Sequence, residues 1–538
     1  MFDRIRQAVS PRFLTAGLAA AATLIAFVQI ERGLGNLRLS LLYVGHDLLV
    51  SAALALVVLV AVRRPWASAF SGVAAVLLVW FASYLKVRAT SVPVFAADLP
   101  RLLDAWQVVV AFGWPALLAA LASVVAGVLI LRWEQPVRLA WLQRLVCLGL
   151  GGVLLVGSGL IQAKIPPEDL VNLTRIPKVA FFARSIYTAP DFHDARFPDL
   201  DPYCCFRNSV RPSVAFAGTV KPNIVVVLQE STFPPDNLRS VAPMRNRLLD
   251  GSVPMQVDVA GGGTWVEEYA LLHGVPPSVY GRDFLQIMWL GRSRGLEPRL
   301  APMLADAGYR TSSILPYVGS MIGDSVGLQH SLGFQEVIDC IGVEGCGRGA
   351  DWMNLPDAAI YHRVLDQLRA GAGPAFVYAA TIRQHSPHVL RFPLHAYRAE
   401  VMAEYLRRLE MSSAELDDFL KSVATLARPT IVMVFGDHIP GDVNAAFPDH
   451  EFRAGRYRTF FNLYDAEGRP VAAKVMADFA SVEAPSTAFL DAILLRFAGF
   501  QGDYIDRKLQ MMSRCSGEFC GRTRPSGRYG ATNRRSSR

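Results

Sequence analysis

At 538 residues the chain is longer than one ordinary domain, and residues 1–163 are dominated by Ala, Leu, Val and Gly whereas the remainder has the mixture of a globular protein. The net charge of +8 does not indicate a nucleic-acid partner, because seven Arg and one Glu fall within the last 26 residues, among Ser and Gly. We expect such a tail to be disordered and, outside the cytoplasm, to meet anionic lipid head groups rather than nucleic acid.

Five apolar runs in the first part have the length, about 20 residues, that a bilayer requires. They are Phe13–Ile30, Leu41–Val62, Ala67–Leu85, Val108–Leu131 and Leu142–Gln162. If the N-terminus faces the cytoplasm, the inner segments carry eight Arg and the outer loops carry five Lys or Arg. This bias favours that orientation, and five spans then place everything after Lys164 in the periplasm or at the cell exterior. The sequence therefore predicts a multi-pass protein of the cytoplasmic membrane, with an orientation that a missed span would reverse.

Four segments are predicted: a transmembrane helical domain at 1–163, a connector at 164–218, a catalytic domain at 219–512 and a basic tail at 513–538. The connector contains Val179–Tyr187, which is either an amphipathic helix on the membrane surface or an ordinary packed helix. Cysteines add weak support for export. Cys147 falls within a predicted span, and the other six lie at 204/205, 340/346 and 515/520, a short-range spacing that suggests disulfides.

Beyond Val220, short β-branched runs alternate with helical patterns. The runs are Asn223–Glu230, Met255–Thr264, Tyr309–Tyr317, Ala375–His388 and Thr430–His438, and candidate helices include Arg299–Ala307, Asp357–Arg369 and Val401–Leu426. This alternation predicts an α/β domain with a mainly parallel sheet flanked by helices. In such a sheet, ligands gather at the carboxyl ends of the strands.

Several of these runs end in residues suited to one task. Glu230 ends the first run, His385 and His388 end the fourth, and Asp437 and His438 end the fifth. Carboxylates and a neutral imidazole together suit one divalent cation, Zn²⁺ or Mn²⁺, and carboxylates alone also suit Mg²⁺. The alternatives are that Glu230 belongs to a helix cap and that the histidines are ordinary loop residues.

Thr264 ends the second run, after Gly261, Gly262 and Gly263 and before a helical pattern. A helix N-terminus favours negative charge, and glycines let backbone approach a phosphate closely. The Thr264 oxygen could complete the metal coordination and act as a nucleophile, or it could be a plain helix cap. Trp265 and Arg383 flank this candidate site, either as substrate contacts or as packing and ion-pair residues.

Four ordered blocks carry a resemblance to a known family. "KPNIVVVLQEST", "GGGTWVEEYALLHGVPP", "TIRQHSPH" and "VMVFGDHIP" resemble the signature blocks of the alkaline phosphatase/sulfatase superfamily, in the branch of lipoteichoic acid synthase and phosphoglycerol transferases. The five-span part, with "SVPVFAADL" between spans three and four, is similar to the same branch.

The resemblance implies that Glu230, Asp437 and His438 are metal ligands. It implies that Thr264 also touches the metal and becomes a phospho-threonine intermediate, and that His385 holds a phosphate oxygen. The donor would be phosphatidylglycerol or phosphatidylethanolamine, and the acceptor a hydroxyl of an envelope glycan or lipid. Transfer of phosphoglycerol is favoured slightly over transfer of phosphoethanolamine.

One region departs from the family pattern. The stretch Pro316–Phe334 has neither the Trp nor the Arg of the segment that holds glycerol phosphate in lipoteichoic acid synthases. His450, twelve residues after His438, resembles an extra histidine of phosphoethanolamine transferases, or is a solvated loop residue. A sulfatase is disfavoured because no Cys lies in a C/S-x-P-x-R stretch. A phosphate-ester hydrolase and a non-catalytic membrane scaffold remain as alternatives.

Overall fold

The computed structural model describes most of the chain beyond the first apolar run. The described residues are 37–90, 94, 125, 127–162, 179, 182, 214–276, 300–317, 325–346, 355–389 and 394–514. They fall into two compact units. One comprises Met1–His193, Ser386–Met402 and Gly441–Pro448, and the other comprises Asp194–His385, Ala403–Pro440 and Asp449–Arg538.

Three of the predicted membrane runs are helices. They are α1 (Leu37–Val62), α2 (Pro65–Thr90) and α3 (Trp141–Gln162), and α1 packs against both of the others. Within the described residues, Tyr43–Val62 and Trp141–Ile161 are long and apolar enough to cross a membrane. The run Phe13–Ile30 and most of Val108–Leu131 lie outside the described residues, although residues 127–133 are helical. The prediction of a five-helix bundle is thus not confirmed, although two of its predicted members are candidate membrane spans.

Close packing between α1 and α2 depends on Gly72. A β-carbon at this position would clash with the Ser51 carbonyl oxygen and lie 3.0 Å from the Ala55 amide nitrogen. Small residues at helix contacts of this kind let two backbones approach in a membrane. Two backbone amides in the first turn of α2, which have no partner inside the helix, donate instead to Glu134. The Trp66 and Ala67 amides donate to its carboxylate at 2.7 and 2.8 Å.

The second unit is built on a seven-stranded sheet in the order β3-β8-β7-β2-β6-β4-β5. Its strands are β2 (Asn223–Gln229), β3 (Val253–Gln256), β4 (Arg310–Ile314), β5 (Glu336–Ile338), β6 (Ala375–Ala380), β7 (Thr430–Gly436) and β8 (Arg458–Tyr464). Only β8, among these seven, runs against the others, since it pairs antiparallel with both β7 and β3. The expectation of a mainly parallel α/β sheet is confirmed.

The middle of the sheet forms the core of this unit. Every residue of β2, β6 and β7 is buried, as expected for parallel strands covered on both faces. The helices that follow α3 are α4 (Thr264–His273), α5 (Leu300–Asp306), α6 (Ser325–Ser331), α7 (Asp357–Arg369), α8 (Arg398–Ala424), α9 (Gly441–Ala446), α10 (Ala472–Met476), α11 (Leu490–Phe497) and α12 (Asp503–Arg514). Of these, α7 packs on β4 and β6.

Two short strands of the second unit form a small separate ribbon. Strand β1 (Ala215–Phe216) pairs antiparallel with β9 (Phe500–Gln501), and the rings of Phe216 and Phe500 lie 5.5 Å apart, edge to face. The predicted short-range disulfide between Cys340 and Cys346 is present. Cys147 is a free thiol in α3, and the remaining cysteines lie outside the described residues. The tail beyond Arg514 and nearly all of the connector, including most of Val179–Tyr187, are also outside them.

Candidate active site

The site begins at the carboxyl ends of two adjacent parallel strands. In the register of β2 and β7, Gln229 lies opposite Gly436, so that Glu230 and Asp437 are the next residues beyond the sheet. Both are buried, with 4% and 0% of their surface exposed. The Ser231 amide donates to Asp437 Oδ1 at 2.7 Å, and the Ser231 hydroxyl donates to Glu230 Oε1 at 2.9 Å. Ser231 thus links the two carboxylates while its own backbone adopts a positive φ of 52°.

His438 completes a three-residue cluster. A ligand atom from each of Glu230, Asp437 and His438 lies within 4.8 Å of the other two. His438 Nδ1 is 3.0 Å from the Ile439 carbonyl oxygen, which can only accept, so Nδ1 carries the proton. Nε2 therefore presents its lone pair to the carboxylates, at 3.2 Å from Asp437 Oδ2 and 3.8 Å from Glu230 Oε1.

Burial dominates the electrostatics of this cluster. Burial, reinforced by the charge of Asp437, raises the pKa of Glu230 to about 8. Burial likewise raises the pKa of Asp437 to about 7 and lowers the pKa of His438. Asp437 Oδ2 is buried and accepts no hydrogen bond from the described residues. Two carboxylates and an imidazole lone pair that face one another are a ligand set that fits a divalent cation, and such an ion would give Asp437 Oδ2 a partner.

Thr264 lies against the same three residues. Its hydroxyl donates to Glu230 Oε2 at 2.7 Å and lies 3.3 Å from His438 Nε2. It is the first residue of α4, where the backbone amides of the first turn have no partner inside the helix. The helix dipole adds a partial positive charge at this end. The arrangement suits an oxygen that gains negative charge or bonds to a phosphate.

The glycine turn before α4 places the Thr264 hydroxyl next to Glu230. Gly261, Gly262 and Gly263 have φ values of 80°, 141° and 95°, which side chains with a β-carbon rarely adopt. The Gly261 amide donates to the Ile439 carbonyl at 3.1 Å, so the turn is tied to the loop that carries His438. The position of Thr264 is therefore fixed on one side by the glycine turn and on the other by α4.

The other predicted site residues have separate environments. Trp265 is buried in the first turn of α4. Arg383 pairs with Glu415 of α8 at 2.5 Å, which is the ion-pair alternative of the sequence analysis. His385 is buried beyond the end of β6, and its carbonyl accepts from Arg408 at 3.1 Å.

His388 and His450 have other partners. His388 belongs to the first unit, where its Nδ1 lies 2.9 Å from Asp442 Oδ1. Burial would raise the pKa of Asp442, but the charge and hydrogen bonds of His388 hold that pKa well below its ordinary value. His450 is exposed in a short 3-10 turn, and its carbonyl accepts from Arg239 Nε at 3.0 Å. Neither histidine belongs to the cluster around Glu230.

Two buried acids on α4, Glu267 and Glu268, were not predicted from the sequence. Glu267 accepts from the Asp258 amide at 2.5 Å, which fixes the approach to the glycine turn. Glu268 accepts from the Tyr378 hydroxyl at 2.8 Å and from Gln329 Nε2 at 3.1 Å, and burial raises its pKa to about 7. Adjacent glutamates in the otherwise apolar stretch "WVEEYALL" were the available indication of a buried polar role.

Comparison with known proteins agrees with this architecture. Residues 222–462 match the family model described as Sulfatase. A Haemophilus influenzae protein described as uncharacterized is 24% identical over an alignment of 257 residues, and the alignment covers 42% of this chain and 46% of the relative. The chain therefore matches just under half the length of that curated relative.

Two solved structures are also similar. The lipooligosaccharide phosphoethanolamine transferase A of Neisseria meningitidis aligns with a TM-score of 0.50 and 13% identity, over 92% of this chain and 99% of that one. The phosphoglycerol transferase GacH of Streptococcus pyogenes, in complex with sn-glycerol-1-phosphate, aligns with a TM-score of 0.42 and 14% identity, over 66% and 88%. Residues 222–462, the part that matches the Sulfatase family model, include β2, α4 and β7, which position the candidate site.

Proposed function

We propose that the protein is a membrane-anchored, metal-dependent phosphotransferase. It moves a phosphorylated head group from a phospholipid, through Thr264, to a hydroxyl of an envelope glycan or lipid. The observation that carries this proposal is the Thr264 hydroxyl, hydrogen-bonded to Glu230 at 2.7 Å at the edge of a buried cluster suited to a cation. A phosphoethanolamine transferase aligns over 92% of this chain, which supports a transferase of this fold. Phosphoglycerol is the head group we favour slightly, on the resemblance of the sequence blocks, and phosphoethanolamine is the alternative.

In this proposal Glu230, Asp437 and His438 hold one divalent cation, Zn²⁺, Mn²⁺ or Mg²⁺. When bound, the ion supplies Lewis-acid stabilisation of charge on the reacting oxygens. The chain itself orients the nucleophile. The Thr264 hydroxyl directs its proton at Glu230 Oε2, which leaves a lone pair of Oγ available for attack. The amides at the start of α4 face the same region and favour the negative charge of the phosphate.

The transfer has two steps. In the first, Thr264 Oγ forms a bond to phosphorus as the bond from phosphorus to the diacylglycerol oxygen breaks. The hydroxyl proton of Thr264 is transferred in net terms to that oxygen, which leaves as diacylglycerol. In the second, an acceptor hydroxyl forms the new bond to phosphorus, and its proton returns to Thr264 Oγ as the threonine ester breaks. The head group is thereby carried without hydrolysis.

The membrane assignment is a proposal of the same kind. The five apolar runs would form the anchor in residues 1–163, residues 164–218 would connect it to a catalytic domain at 219–512, and the orientation inferred from the Arg bias would place that domain outside the cytoplasm. Support comes from α1 and α3, which are long and apolar enough to span a bilayer. A lipid donor and an anchored enzyme would then meet at one membrane surface.

Mass spectrometry of Thr264 after incubation with lipids tests the proposal. The full-length protein, reconstituted with Mn²⁺ or Zn²⁺, is given phosphatidylglycerol in one arm and phosphatidylethanolamine in the other. We expect a glycerol-phosphate or ethanolamine-phosphate adduct on Thr264, and its identity names the donor. Thr264→Ala should form neither adduct nor product, whereas Thr425→Ala, which removes an exposed hydroxyl from the end of α8, should behave as wild type. Head-group transfer by Thr264→Ala at the wild-type rate would overturn the proposal.

A further inference from the structure

A buried polar cluster lies at the opposite end of the helix that carries Thr264. It is formed by Asp491 of α11 and by Tyr504 and Lys508 of α12, hereafter the C-terminal cluster. Lys508 and Asp491 form an ion pair in which each side chain is 1% exposed, and the Tyr504 hydroxyl donates to the second oxygen of Asp491. These residues lie beyond residue 462, where the family match ends.

The C-terminal cluster contacts the end of α4 directly. Gly274 ends α4 in the left-handed conformation, with φ of 68°. A β-carbon there would lie 2.5 Å from both Asp491 Oδ2 and the Tyr504 hydroxyl oxygen, and would also clash with Lys508 Nζ. The ion pair is therefore in contact with the backbone at the end of the nucleophile helix.

Lys508 also contacts a turn that packs along the side of α4. Lys508 Nζ donates to the Ala488 carbonyl at 2.5 Å, and Ala488 belongs to the 3-10 turn Thr487–Phe489 that packs against α4. One ammonium thus joins the turn beside α4 to the residues beyond its end. The cluster thereby restrains α4 both along and across its axis.

We propose that the C-terminal cluster sets the position of the Thr264 hydroxyl by holding the far end of α4. This proposal rests on the proposed function of Thr264. Helix α4 has ten residues and is about 15 Å long, so a shift at Gly274 moves Thr264 as part of a nearly rigid rod. The hydrogen bond of 2.7 Å from Thr264 to Glu230 leaves little tolerance for such a shift. Asp491, Tyr504 and Lys508 are positioning residues, since nothing places them in contact with the reacting atoms.

A positioning role can be tested apart from any contribution of the cluster to stability. Replacing all members of a buried ion-pair cluster with apolar groups of similar volume is often neutral or stabilising, whereas removing one partner leaves an uncompensated charge. The informative protein is therefore the triple variant Asp491→Leu, Tyr504→Phe, Lys508→Met. Its matched control removes the exposed ion pair between Arg496 and Asp506, which joins the same two helices, by Arg496→Gln with Asp506→Asn.

The experiment measures adduct formation on Thr264 in a single turnover with the donor lipid, together with KM, kcat and bound metal. We expect the triple variant to form the adduct about 10- to 100-fold more slowly, because small misplacements of a reacting group have effects of that size. KM for the lipid and the metal stoichiometry should be unchanged, since Glu230, Asp437 and His438 do not lie on α4. The control pair should match wild type.

The outcomes distinguish the two proposals. If wild type forms no adduct, the proposed function fails. If wild type forms it and the folded triple variant forms it equally fast, the positioning role is wrong and the function stands. If the triple variant does not fold, Tyr504→Phe alone is used, because it removes one hydroxyl and keeps the ring. A rate at least threefold below wild type supports the proposal for that variant, and a smaller change overturns it.

Discussion

Gly436 lies so close to the Thr232 carbonyl oxygen that no β-carbon fits between the two residues. The same position would also place a β-carbon 3.2 Å from the Phe460 ring. Gly436 is the last residue of β7, immediately before Asp437 and His438. The absence of a side chain here lets the loop after β2 cross the tip of β7, which is how Glu230 and Asp437 come to share one site.

We expect Gly436→Ala to displace the tip of β7 and separate the three cluster residues. The strain should lower the free energy of unfolding by about 3 kcal/mol, as overpacking against backbone does. Affinity for Mn²⁺ or Zn²⁺ should fall at least about tenfold, because ligands must be held in fixed orientation. Urea unfolding and calorimetric titration of the metal measure the two effects.

Gly373→Ala is the matched control for that change. Gly373 is exposed, and no atom lies within 4 Å of the position its β-carbon would take. Its free energy of unfolding and its metal affinity should both be those of wild type. Wild-type metal affinity in Gly436→Ala would contradict the view that this close approach assembles the site.

A second prediction concerns Asp357, a buried carboxyl of α7. Gln229 Nε2 donates to it at 2.6 Å, yet burial raises its pKa to about 6 from 3.8. Because the pKa is higher in the folded protein, this group stabilises the fold below pH 4, and that contribution is lost as the pH rises through 6. The difference corresponds to about 3 kcal/mol.

Replacing Asp357 with Asn should remove this part of the pH dependence. We expect the stability of Asp357→Asn relative to wild type to increase by about 3 kcal/mol between pH 4 and pH 7. Urea unfolding at several pH values measures it. Asp366→Asn, which neutralises an exposed carboxylate on the same helix, should run parallel to wild type. A pH-independent difference for Asp357→Asn would show that the carboxyl ionises with its ordinary pKa.

The third prediction tests the contact between α1 and α2. Gly72→Val would force the α2 backbone away from Ser51, so we expect the melting temperature in detergent to fall by about 5 °C. Gly152→Val is the control, because Gly152 is exposed on α3 and has no atom within 4 Å of a β-carbon. Equal melting temperatures for the two variants would show that α1 and α2 do not depend on close backbone packing.

Local sequence was sufficient for the central strands and for the residues at their ends. β2 and β7 are predicted within one or two residues, because buried parallel strands are continuous apolar runs that stop where polar residues begin. Of the run Met255–Thr264, by contrast, only the first two residues belong to a strand. Beyond Gln256 the backbone bonds instead to the Tyr457 carbonyl and the Glu267 carboxylate, partners that are distant or on another element.

What local sequence could not supply was pairing at a distance. Nothing near Arg383 identifies Glu415 as its partner, and nothing near Lys508 indicates that its ammonium is buried against Gly274. The reversed direction of β8 likewise depends on its neighbours β3 and β7 rather than on its own residues. Sequence patterns report the environment of a residue along its own element, whereas ion pairs and strand order depend on the other elements that the fold brings alongside.

The ribbon formed by β1 and β9 has a practical consequence for dissecting this protein. Because Phe216 packs on Phe500, the segment just before the seven-stranded sheet is joined to the segment just after α11. A soluble fragment cut to the family match at 222–462 would lose both halves of that junction, and with them Lys508, which is buried at the far end of α4. A fragment intended to retain the chemistry should start ahead of Ala215 and continue through Arg514.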